Sequence, residues 1–371
     1  MTRTANNSAT EPPVRVAFFS DALPERNGTG AYYHDLLAHL RPHVAAAAVI
    51  QPAARARGRR LALRMPGDAT QELVVPNVAR IRRELRELQP NLIVTVTPGA
   101  FGLLGLREAR RRGCGFVSAY HTDFEGLSAL YWGRLRARLI QGVMDRVNRF
   151  ISRRSGTVIG HSDGLRERLE GLGAPHVDIL GTPLDARFLL EPPAPPERLK
   201  RVCYAGRLAA EKNPQALIDA ARCHPEIAFV IVGDGPERGT MEAAAAELPN
   251  LDYRGWLERE SLRATMDSAD LLVLPSHMET FGSVALEAMA RARPALVSAH
   301  AGITEWPGLA AGLFTQAASE DLATALETVA SLPDGRLAAT GRAARDAALA
   351  FHETTVDDWL QLLATHARGP A

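Results

Sequence analysis

Short apolar runs alternate with helical stretches along most of the chain, and this alternation constrains the fold more than any other feature. In the first half, strands are predicted at residues 14–20, 47–51, 92–97, 115–120, 157–161 and 176–180. In the second half, strands are predicted at residues 201–205, 228–232, 251–254, 271–274 and 295–298. Strands that alternate with helices form βαβ units, whose strands lie parallel in one sheet. The sequence therefore predicts an α/β fold with two parallel sheets.

The predicted helices complete this pattern. They cover residues 31–40, 77–88, 131–150, 283–291, 319–331, 334–350 and 355–368. A proline-rich segment without periodicity separates the two series of strands, and it contains Pro183, Pro192, Pro193, Pro195 and Pro196. Such composition is typical of a domain linker. The predicted organisation is a disordered segment at 1–13, a first domain at 14–182, a linker at 183–200 and a second domain at 201–352.

Charge and cysteine content exclude several classes of protein. The 371 residues contain 43 Lys and Arg against 42 Asp and Glu, and this balance argues against a dedicated nucleic-acid binder. Cys114, Cys203 and Cys223 are too scattered for a zinc site. No apolar leader or membrane-length run occurs, so we expect a cytoplasmic protein whose membrane contact, if any, is peripheral.

Residues 275–287 carry two glutamates around a predicted helix start. Glu279 lies in the turn before the helix and Glu287 about one turn inside it, so both can reach one small space. The free backbone N–H groups at this start belong to Phe281, Gly282 and Ser283. Helix N-termini bind anions, so two hydroxyl acceptors would flank a phosphate cradle, as a sugar pyrophosphate requires. The alternative is a strand-to-helix turn whose glutamates are merely solvated.

Two cations follow the first strand of the second series. Arg207 offers a planar fork for phosphate oxygens and Lys212 a compact charge, in a loop that begins at Gly206. The next strand ends at Gly233, whose lack of a side chain permits close approach of the backbone to a ligand. The alternative is a pair of surface charges bridged to Glu211.

Two further candidates follow strands of the first series. Gly28, Thr29 and Gly30 form a glycine-rich turn before a helix, although Tyr33 at the third glycine position excludes a dinucleotide fingerprint. An ordinary tight turn is the alternative. His121 directly follows the strand at 115–120 and could donate a hydrogen bond to a substrate hydroxyl, although histidines there are often satisfied turn residues.

Together these stretches resemble a known family. The chain carries Asn-Gly-Thr-Gly at 27–30, Tyr-His-Thr-Asp at 120–123, Gly-Arg-Leu-x-x-Glu-Lys-Asn at 206–213, Val-Gly-Asp-Gly-Pro at 232–236 and Glu-x7-Glu at 279–287. Their order and spacing resemble family 4 of the retaining nucleotide-sugar glycosyltransferases along nearly the whole chain. The resemblance implies a GT-B fold, in which two Rossmann-like domains face each other across a cleft and a final helix, here 353–371, packs back on the first domain.

The resemblance also implies residue roles. Arg207 and Lys212 would hold the donor pyrophosphate, Glu279 and His121 would contact the transferred sugar, and Glu287 would bind the ribose. The other implied donor-binding positions are Gly28, Thr29, Gly30, Gly206, Gly233, Trp256, Leu257, Phe281, Gly282 and Ser283, with Trp256 and Leu257 near the base. Asp185 is carried over alone from its loop, because its neighbours depart from the family pattern. Ala301 replaces the first glycine of a usual pair.

The implied reaction is sugar transfer with retention of configuration, from a UDP- or GDP-sugar to a lipid-linked, glycan or small-molecule acceptor. A phosphate oxygen would take the acceptor proton, so no side chain is named as general base. Arg207 and Lys212 can replace a divalent ion, and we expect neither a metal nor a cofactor. The alternatives are a GT-B-like epimerase or phosphorylase, and a sugar-nucleotide binder without catalysis.

An anionic membrane surface is a further predicted partner. Residues 131–150 could form a helix with Leu135, Leu139, Val143 and Val147 beside Arg134, Arg138 and Arg149, and residues 55–64 contain five arginines. Basic amphipathic surfaces dock on anionic lipid. The alternative is that the apolar stripe faces its own core.

Overall fold

The computed structural model describes residues 13–22, 28–52, 62–65, 68–121 and 134–368. Thr122, Asp123 and most of the arginine-rich stretch at 55–64 lie outside the described residues, as does nearly all of the predicted disordered segment at 1–13. Within the described part, no helix is both long and apolar enough to cross a membrane.

The first sheet has six parallel strands in the order β2-β1-β5-β6-β7-β8. They are β1 (Arg15–Phe19), β2 (Ala46–Ile50), β5 (Leu92–Thr95), β6 (Gly115–Ala119), β7 (Val158–Gly160) and β8 (Val177–Ile179). A separate antiparallel hairpin of β3 (Ala62–Met65) and β4 (Asp68–Val74) was not expected from the sequence. The prediction of parallel pairing is confirmed for all six strands of the sheet.

In the described part of the chain, the helices that accompany the first sheet are α1 (Gly28–Leu40), α2 (Val78–Leu88), α3 (Ala100–Arg112), α4 (Arg134–Ser152) and α5 (Arg166–Gly171). The Asn77 side chain caps α2 by accepting a hydrogen bond from the N–H of Arg80 at 3.1 Å. Helix α1 begins at Gly28, three residues earlier than expected. The predicted glycine-rich turn is therefore the first helical turn, where backbone N–H groups have no partner within the helix.

The second sheet repeats this architecture in the order β11-β10-β9-β12-β13-β14. Its strands are β9 (Arg201–Ala205), β10 (Ala228–Val232), β11 (Leu251–Tyr253), β12 (Leu271–Leu274), β13 (Ala295–Ser298) and β14 (Leu313–Gln316). Strand β14 was not predicted, because it is a partly exposed edge strand whose short sequence ends in Thr315 and Gln316. The other five strands agree with the sequence to within one residue.

The helices that accompany the second sheet are α6 (Ala186–Leu189), α7 (Pro214–Cys223), α8 (Arg238–Glu247), α9 (Arg259–Asp267), α10 (Ser283–Ala290), α11 (Leu322–Ala330) and α12 (Arg336–His366). Helix α12 corrects the sequence analysis, which placed two helices at 334–350 and 355–368. The intervening Phe-His-Glu-Thr sequence contains neither glycine nor proline, so nothing interrupts the backbone hydrogen bonds.

Helix α12 links the two sheets. Its first half packs against α10 and its second half reaches the core of the first sheet. There Trp359 is fully buried, contacts the ring of Phe18 and donates a hydrogen bond from Nε1 to the Tyr32 hydroxyl at 2.9 Å. The tryptophan therefore anchors the chain end on the first sheet, at the position where the family resemblance expected a returning helix.

Replacing Trp359 with alanine should lower the free energy of unfolding by roughly 3–5 kcal/mol, since it leaves a large cavity and removes a buried hydrogen bond. Urea unfolding followed by circular dichroism measures this loss. Trp256, which is 58% exposed, provides the matched control, and its replacement should change the free energy by less than about 0.5 kcal/mol. Equal effects at both positions would contradict the anchoring role.

Candidate active site

The centre of the second sheet is a point where the chain connections change direction. Strand β9 lies between β10 and β12, so the connections from its two sides run away from each other. In open parallel sheets such a point opens a crevice beyond the carboxyl ends of the strands. The loop after β9 (206–213) and the loop after β12 (275–282) form this crevice, which we call the central crevice.

Backbone hydrogen bonds hold these two loops together. The N–H groups of His277 and Met278 donate to the Glu211 carbonyl at 2.9 and 3.3 Å. The Asn213 side chain donates to the Pro275 carbonyl at 3.2 Å. The predicted cationic stretch and the predicted glutamate stretch, which are about seventy residues apart in sequence, thus share one site.

Two ion pairs line the central crevice. The Lys212 ammonium donates to a carboxylate oxygen of Glu279, and both side chains are about four-fifths buried. Arg207 Nη1 donates to Glu211 Oε1 at 2.9 Å, and the Glu211 side chain is only 6% exposed. The pairing of Arg207 with Glu211 therefore exists, but it is not a surface contact. It fixes the guanidinium at the crevice wall.

The start of helix α10 closes the crevice. Gly282 is its N-cap and has φ +105°, a backbone conformation that residues with a side chain rarely adopt. No side chain caps this end of the helix. The N–H of Ala285 donates to the Gly282 carbonyl at 2.8 Å, so the N–H groups open to an anion are those that precede it, at the positive end of the helix dipole. Phe281 contributes backbone here, since its ring is buried in the core. The phosphate cradle expected around Ser283 stays a prediction at this helix start.

A second loop, which contains Gly302 and Ile303, forms backbone hydrogen bonds with the loop that carries Glu279. The N–H of Gly302 donates to the Glu279 carbonyl at 2.9 Å, and Ile303 donates to the Phe281 carbonyl at 2.7 Å. A Cβ on Gly302 would lie 2.1 Å from the Thr280 carbonyl oxygen. The single glycine at this position is therefore required for close packing, whereas Ala301 before it is accommodated in the core.

The glycine loops also converge. Gly233 has φ +146°, and a Cβ there would lie 1.8 Å from the Gly206 carbonyl oxygen. The Gly233 N–H donates to the Gly255 carbonyl at 2.8 Å, which brings the next loop alongside. That loop carries Trp256, which is 58% exposed, and Leu257, which packs partly against the core. An exposed indole at this sheet edge offers a flat apolar surface for stacking.

Glu287 lies one turn inside α10 and is buried. It forms an ion pair with Arg259, which also donates from Nη2 to Asp35 Oδ2 at 2.8 Å. Burial raises the pKa of Glu287, and the Arg259 charge acts in the opposite direction. Burial likewise raises the pKa of Asp35 to about 7, again opposed by Arg259.

Sequence reasoning missed Asp35 and Arg259. Asp35 lies on α1, which packs against β2, and no local pattern marks it. Arg259 follows Trp256 by three residues, but its two carboxylate partners are distant in sequence. Asp185 is nearby: its side chain caps α6 by accepting from the N–H of Arg187 at 2.8 Å, and its charge raises the pKa of both Asp35 and Glu287.

His121 lies at the carboxyl end of β6, across from the central crevice. Its carbonyl accepts a hydrogen bond from the Thr280 hydroxyl at 3.2 Å. Its Nε2 lies 2.6 Å from the Tyr33 hydroxyl, and its ring lies 4.3 Å from that of His161, which the sequence did not single out. Burial and the neighbouring His161 lower the pKa of His121 well below its usual range, so the imidazole is neutral.

Gly28, Thr29 and Gly30 lie in the first turn of α1, which follows β1. Strand β1 lies between β2 and β5, so the first sheet has its own change of direction there. The structure therefore brings together the predicted residues at 206–213, 233 and 279–283, and it places Glu287 one turn along α10, in contact with Arg259. It adds His121 and Asp185 from neighbouring elements through the contacts given above.

Comparison with known proteins agrees with this geometry. Residues 26–187 match the model of glycosyltransferase family 4, and residues 186–346 match that of the group 1 glycosyl transferases. A GDP-mannose-dependent alpha-mannosyltransferase of Mycobacterium tuberculosis (strain CDC 1551 / Oshkosh) is 30% identical over 306 residues, which cover 76% of this chain and 78% of the relative. The chain belongs to glycosyltransferase family 4.

Other similar proteins include the 2-deoxystreptamine glucosyltransferase of Streptomyces kanamyceticus, 26% identical over 63% of this chain and 76% of that protein. Among solved structures, sucrose-phosphate synthase from Thermosynechococcus elongatus matches with a TM-score of 0.75 at 19% identity, covering 94% of this chain and 98% of that one. Anabaena HepE, in complex with UDP and glucose, matches with a TM-score of 0.69 at 18% identity, covering 95% and 99%.

The fold is therefore GT-B, and the protein is a nucleotide-sugar glycosyltransferase of the hexosyltransferase type. A retaining reaction fits this family. The alternatives of an epimerase, a phosphorylase or a binder without catalysis are not favoured by these relatives.

Replacing Gly302 with alanine should displace the loop that carries Glu279, because the added methyl group meets the Thr280 carbonyl. We expect a loss of roughly 1–3 kcal/mol in the free energy of unfolding, as for an overpacked core, together with weaker binding of the nucleotide sugar. Urea unfolding and calorimetric titration measure the two effects. Gly308 has no atom within 4 Å of an added Cβ, so Gly308→Ala is the matched control. Equal behaviour of the two variants would contradict this account of the loop.

Proposed function

We propose that this glycosyltransferase transfers a hexose from a GDP- or UDP-hexose to a hydroxyl of a glycan or lipid-linked acceptor, with the donor held in the central crevice. The observation that carries the proposal is the Lys212–Glu279 ion pair beside the uncapped start of α10. A cation and free N–H groups suit a diphosphate, and the carboxylate next to them suits sugar hydroxyls. The GDP-mannose in the name of the mycobacterial relative, and the UDP and glucose in the HepE complex, support these two donor bases.

Arg207 and Lys212 act on the leaving group. Negative charge grows on the diphosphate as the bond to the sugar breaks, and fixed cations lower the energy of that state more than that of the intact donor. Glu211 holds Arg207 in place before the donor arrives. The arriving diphosphate competes with Glu279 for Lys212, and the carboxylate is then released toward the sugar.

Glu279 and His121 act on the transferred sugar. The carboxylate favours the cationic sugar of the transition state over the neutral donor. The Tyr33 hydroxyl is hydrogen-bonded to Nε2 of His121. We therefore assign Nδ1 as the ring nitrogen that forms a hydrogen bond with a sugar hydroxyl. The acceptor hydroxyl attacks on the face of the leaving group and passes its proton to a phosphate oxygen. Glu287 binds the ribose, and Trp256 with Leu257 receives the base.

A series of alanine variants tests these roles. Arg207→Ala and Lys212→Ala should lower kcat by roughly a hundredfold or more, since each removes stabilisation of the developing charge. Glu279→Ala should also act mainly on kcat. Glu287→Ala should instead raise the donor KM, since the ribose contact already exists in the ground state.

The measurement is release of nucleoside diphosphate and free sugar from GDP-mannose and UDP-glucose, with and without added acceptors. Arg198→Ala is the control and should match the unmodified enzyme, because Arg198 is an exposed residue of the linker that pairs with exposed Asp334. A folded Glu279→Ala protein with unchanged turnover would refute the assignment of this carboxylate.

We also propose that the acceptor is reached at an anionic membrane surface through helix α4. Val143 and Phe150 are 50% and 43% exposed and lie seven residues apart on one side of the helix, with Arg146 and Arg153 exposed between and beyond them. Val147 instead packs partly against the core, so the predicted stripe divides between core and surface. The side chains of Leu135 and Leu139 lie outside the described residues.

Vesicles with anionic lipid should pull the protein into the pellet at low salt, and Val143→Asp with Phe150→Asp should return most of it to the supernatant. The charges oppose insertion of the apolar side chains and repel anionic headgroups. Leu190, also exposed at 55% but outside α4, supplies the control Leu190→Asp. An unmodified protein that stays in the supernatant at low salt would end this proposal.

A further inference from the structure

A single guanidinium joins elements that accompany the two different sheets. Arg259, the first residue of α9, donates from Nη1 to Glu287 on α10 and from Nη2 to Asp35 on α1. The three side chains are 26%, 12% and 13% exposed, so the contact is largely shielded from water. Ion pairs in such surroundings are costly to break, because the remaining charge is left without a partner.

Other charged groups surround this contact. Asp35 faces Arg259 of α9, Glu287 of α10, and both Asp185 and Arg187 at the start of α6. Asp185 is itself held within 3.5 Å of Arg187. Three carboxylates and two guanidinium groups therefore meet where the two halves of the molecule touch. Arg259 is the member that contacts carboxylates of both halves.

We propose that Arg259, anchored by Asp35, is the positioning residue for Glu287 and makes ribose recognition depend on contact between the two halves of the enzyme. This inference rests on the proposed role of Glu287 at the ribose. The guanidinium donates a hydrogen bond to Oε1 of the Glu287 carboxylate and so sets the orientation of that carboxylate. Oε2 is then directed to a ribose hydroxyl. Arg259 does not touch the reacting atoms, so it acts on donor binding and not on bond breaking.

Both ion pairs of Arg259, with Glu287 and with Asp35, are needed for this positioning. Without Arg259, the buried Glu287 lacks its cation and takes up a proton more readily, which weakens it as an acceptor of two hydroxyl hydrogen bonds. Without the Asp35 charge, Arg259 keeps Glu287 but loses its anchor on α1. The fork geometry of arginine allows one group to hold two carboxylates at once, which a lysine does less well.

The test compares the affinity for GDP with that for 2′,3′-dideoxy-GDP by calorimetric titration, and UDP with 2′,3′-dideoxy-UDP in parallel. The ratio of the two dissociation constants isolates the ribose hydroxyls. In the unmodified enzyme we expect a ratio of about tenfold or more, as for hydrogen bonds to a charged group. Glu287→Gln should reduce it to about threefold or less.

Arg259→Gln and Asp35→Asn should reduce the ratio in the same direction, while the affinity for the dideoxy nucleotide stays within about twofold. Asp35→Glu should restore much of the ratio, because it returns the charge. Arg263→Gln is the matched control, since this arginine lies one turn along α9 and its carboxylate partners, Glu260 and Asp267, belong to its own helix. Its ratio should equal that of the unmodified enzyme. If Arg259→Gln fails to fold, Arg259→Lys takes its place and should lower the ratio.

The outcomes separate the inference from the proposed function. If Glu287→Gln lowers the ratio but Arg259→Gln and Asp35→Asn leave it unchanged, the inference is overturned and the ribose assignment stands. If Glu287→Gln also leaves the ratio unchanged, both are overturned. If neither nucleotide binds, the central crevice is not the donor site and the inference fails with it.

The ratio should also depend on pH through Asp35. Burial raises the pKa of this carboxyl to about 7, so it gains a proton and loses its hold on Arg259 as the pH falls through that value. The ratio in the unmodified enzyme should therefore be larger at pH 8 than at pH 6. Asp35→Asn should lose this dependence except for any part that arises from Glu287. Identical pH profiles for the two proteins would overturn the role of Asp35.

Discussion

The contact between the loop after β9 and the loop after β12 is the interaction on which the active site depends. It exists because β9 lies at the centre of the second sheet, with connections that leave in opposite directions. The backbone hydrogen bonds of Glu211 to His277 and Met278 then fix the loops to each other. Lys212 and Glu279 are within reach of each other as a result, although each belongs to a different βαβ unit.

Charged groups in this enzyme are held in pairs before any donor binds. Glu211 holds Arg207, Glu279 holds Lys212, and Arg259 holds Glu287. Such pairs lower the cost of keeping charges in a partly buried crevice. A nucleoside diphosphate brings its own charges and hydroxyls, so its binding exchanges these partners and does not have to create new charged sites.

Local sequence signals predicted the parts of the structure that local physics determines. The five apolar strands predicted at 201–205, 228–232, 251–254, 271–274 and 295–298 agree with the structure to within one residue, because periodicity acts over a few residues. The helix predicted at 77–88 begins one residue later, at Val78, because Asn77 is its cap. Strand β14 has too few apolar residues, and the break expected near residue 352 rested on composition without a helix breaker. The motifs around Lys212 and Glu279 were found in sequence. The Arg259–Asp35 contact was not, because it joins residues 224 positions apart in different halves.

A crystal structure of the enzyme with GDP or UDP bound tests the central claim most directly. The account predicts the diphosphate in the central crevice, within hydrogen-bond distance of Arg207, Lys212 and the N–H of Ser283, with Lys212 drawn away from Glu279. A diphosphate bound elsewhere, or a nucleotide complex in which Lys212 and Glu279 remain paired and touch no phosphate oxygen, would contradict it.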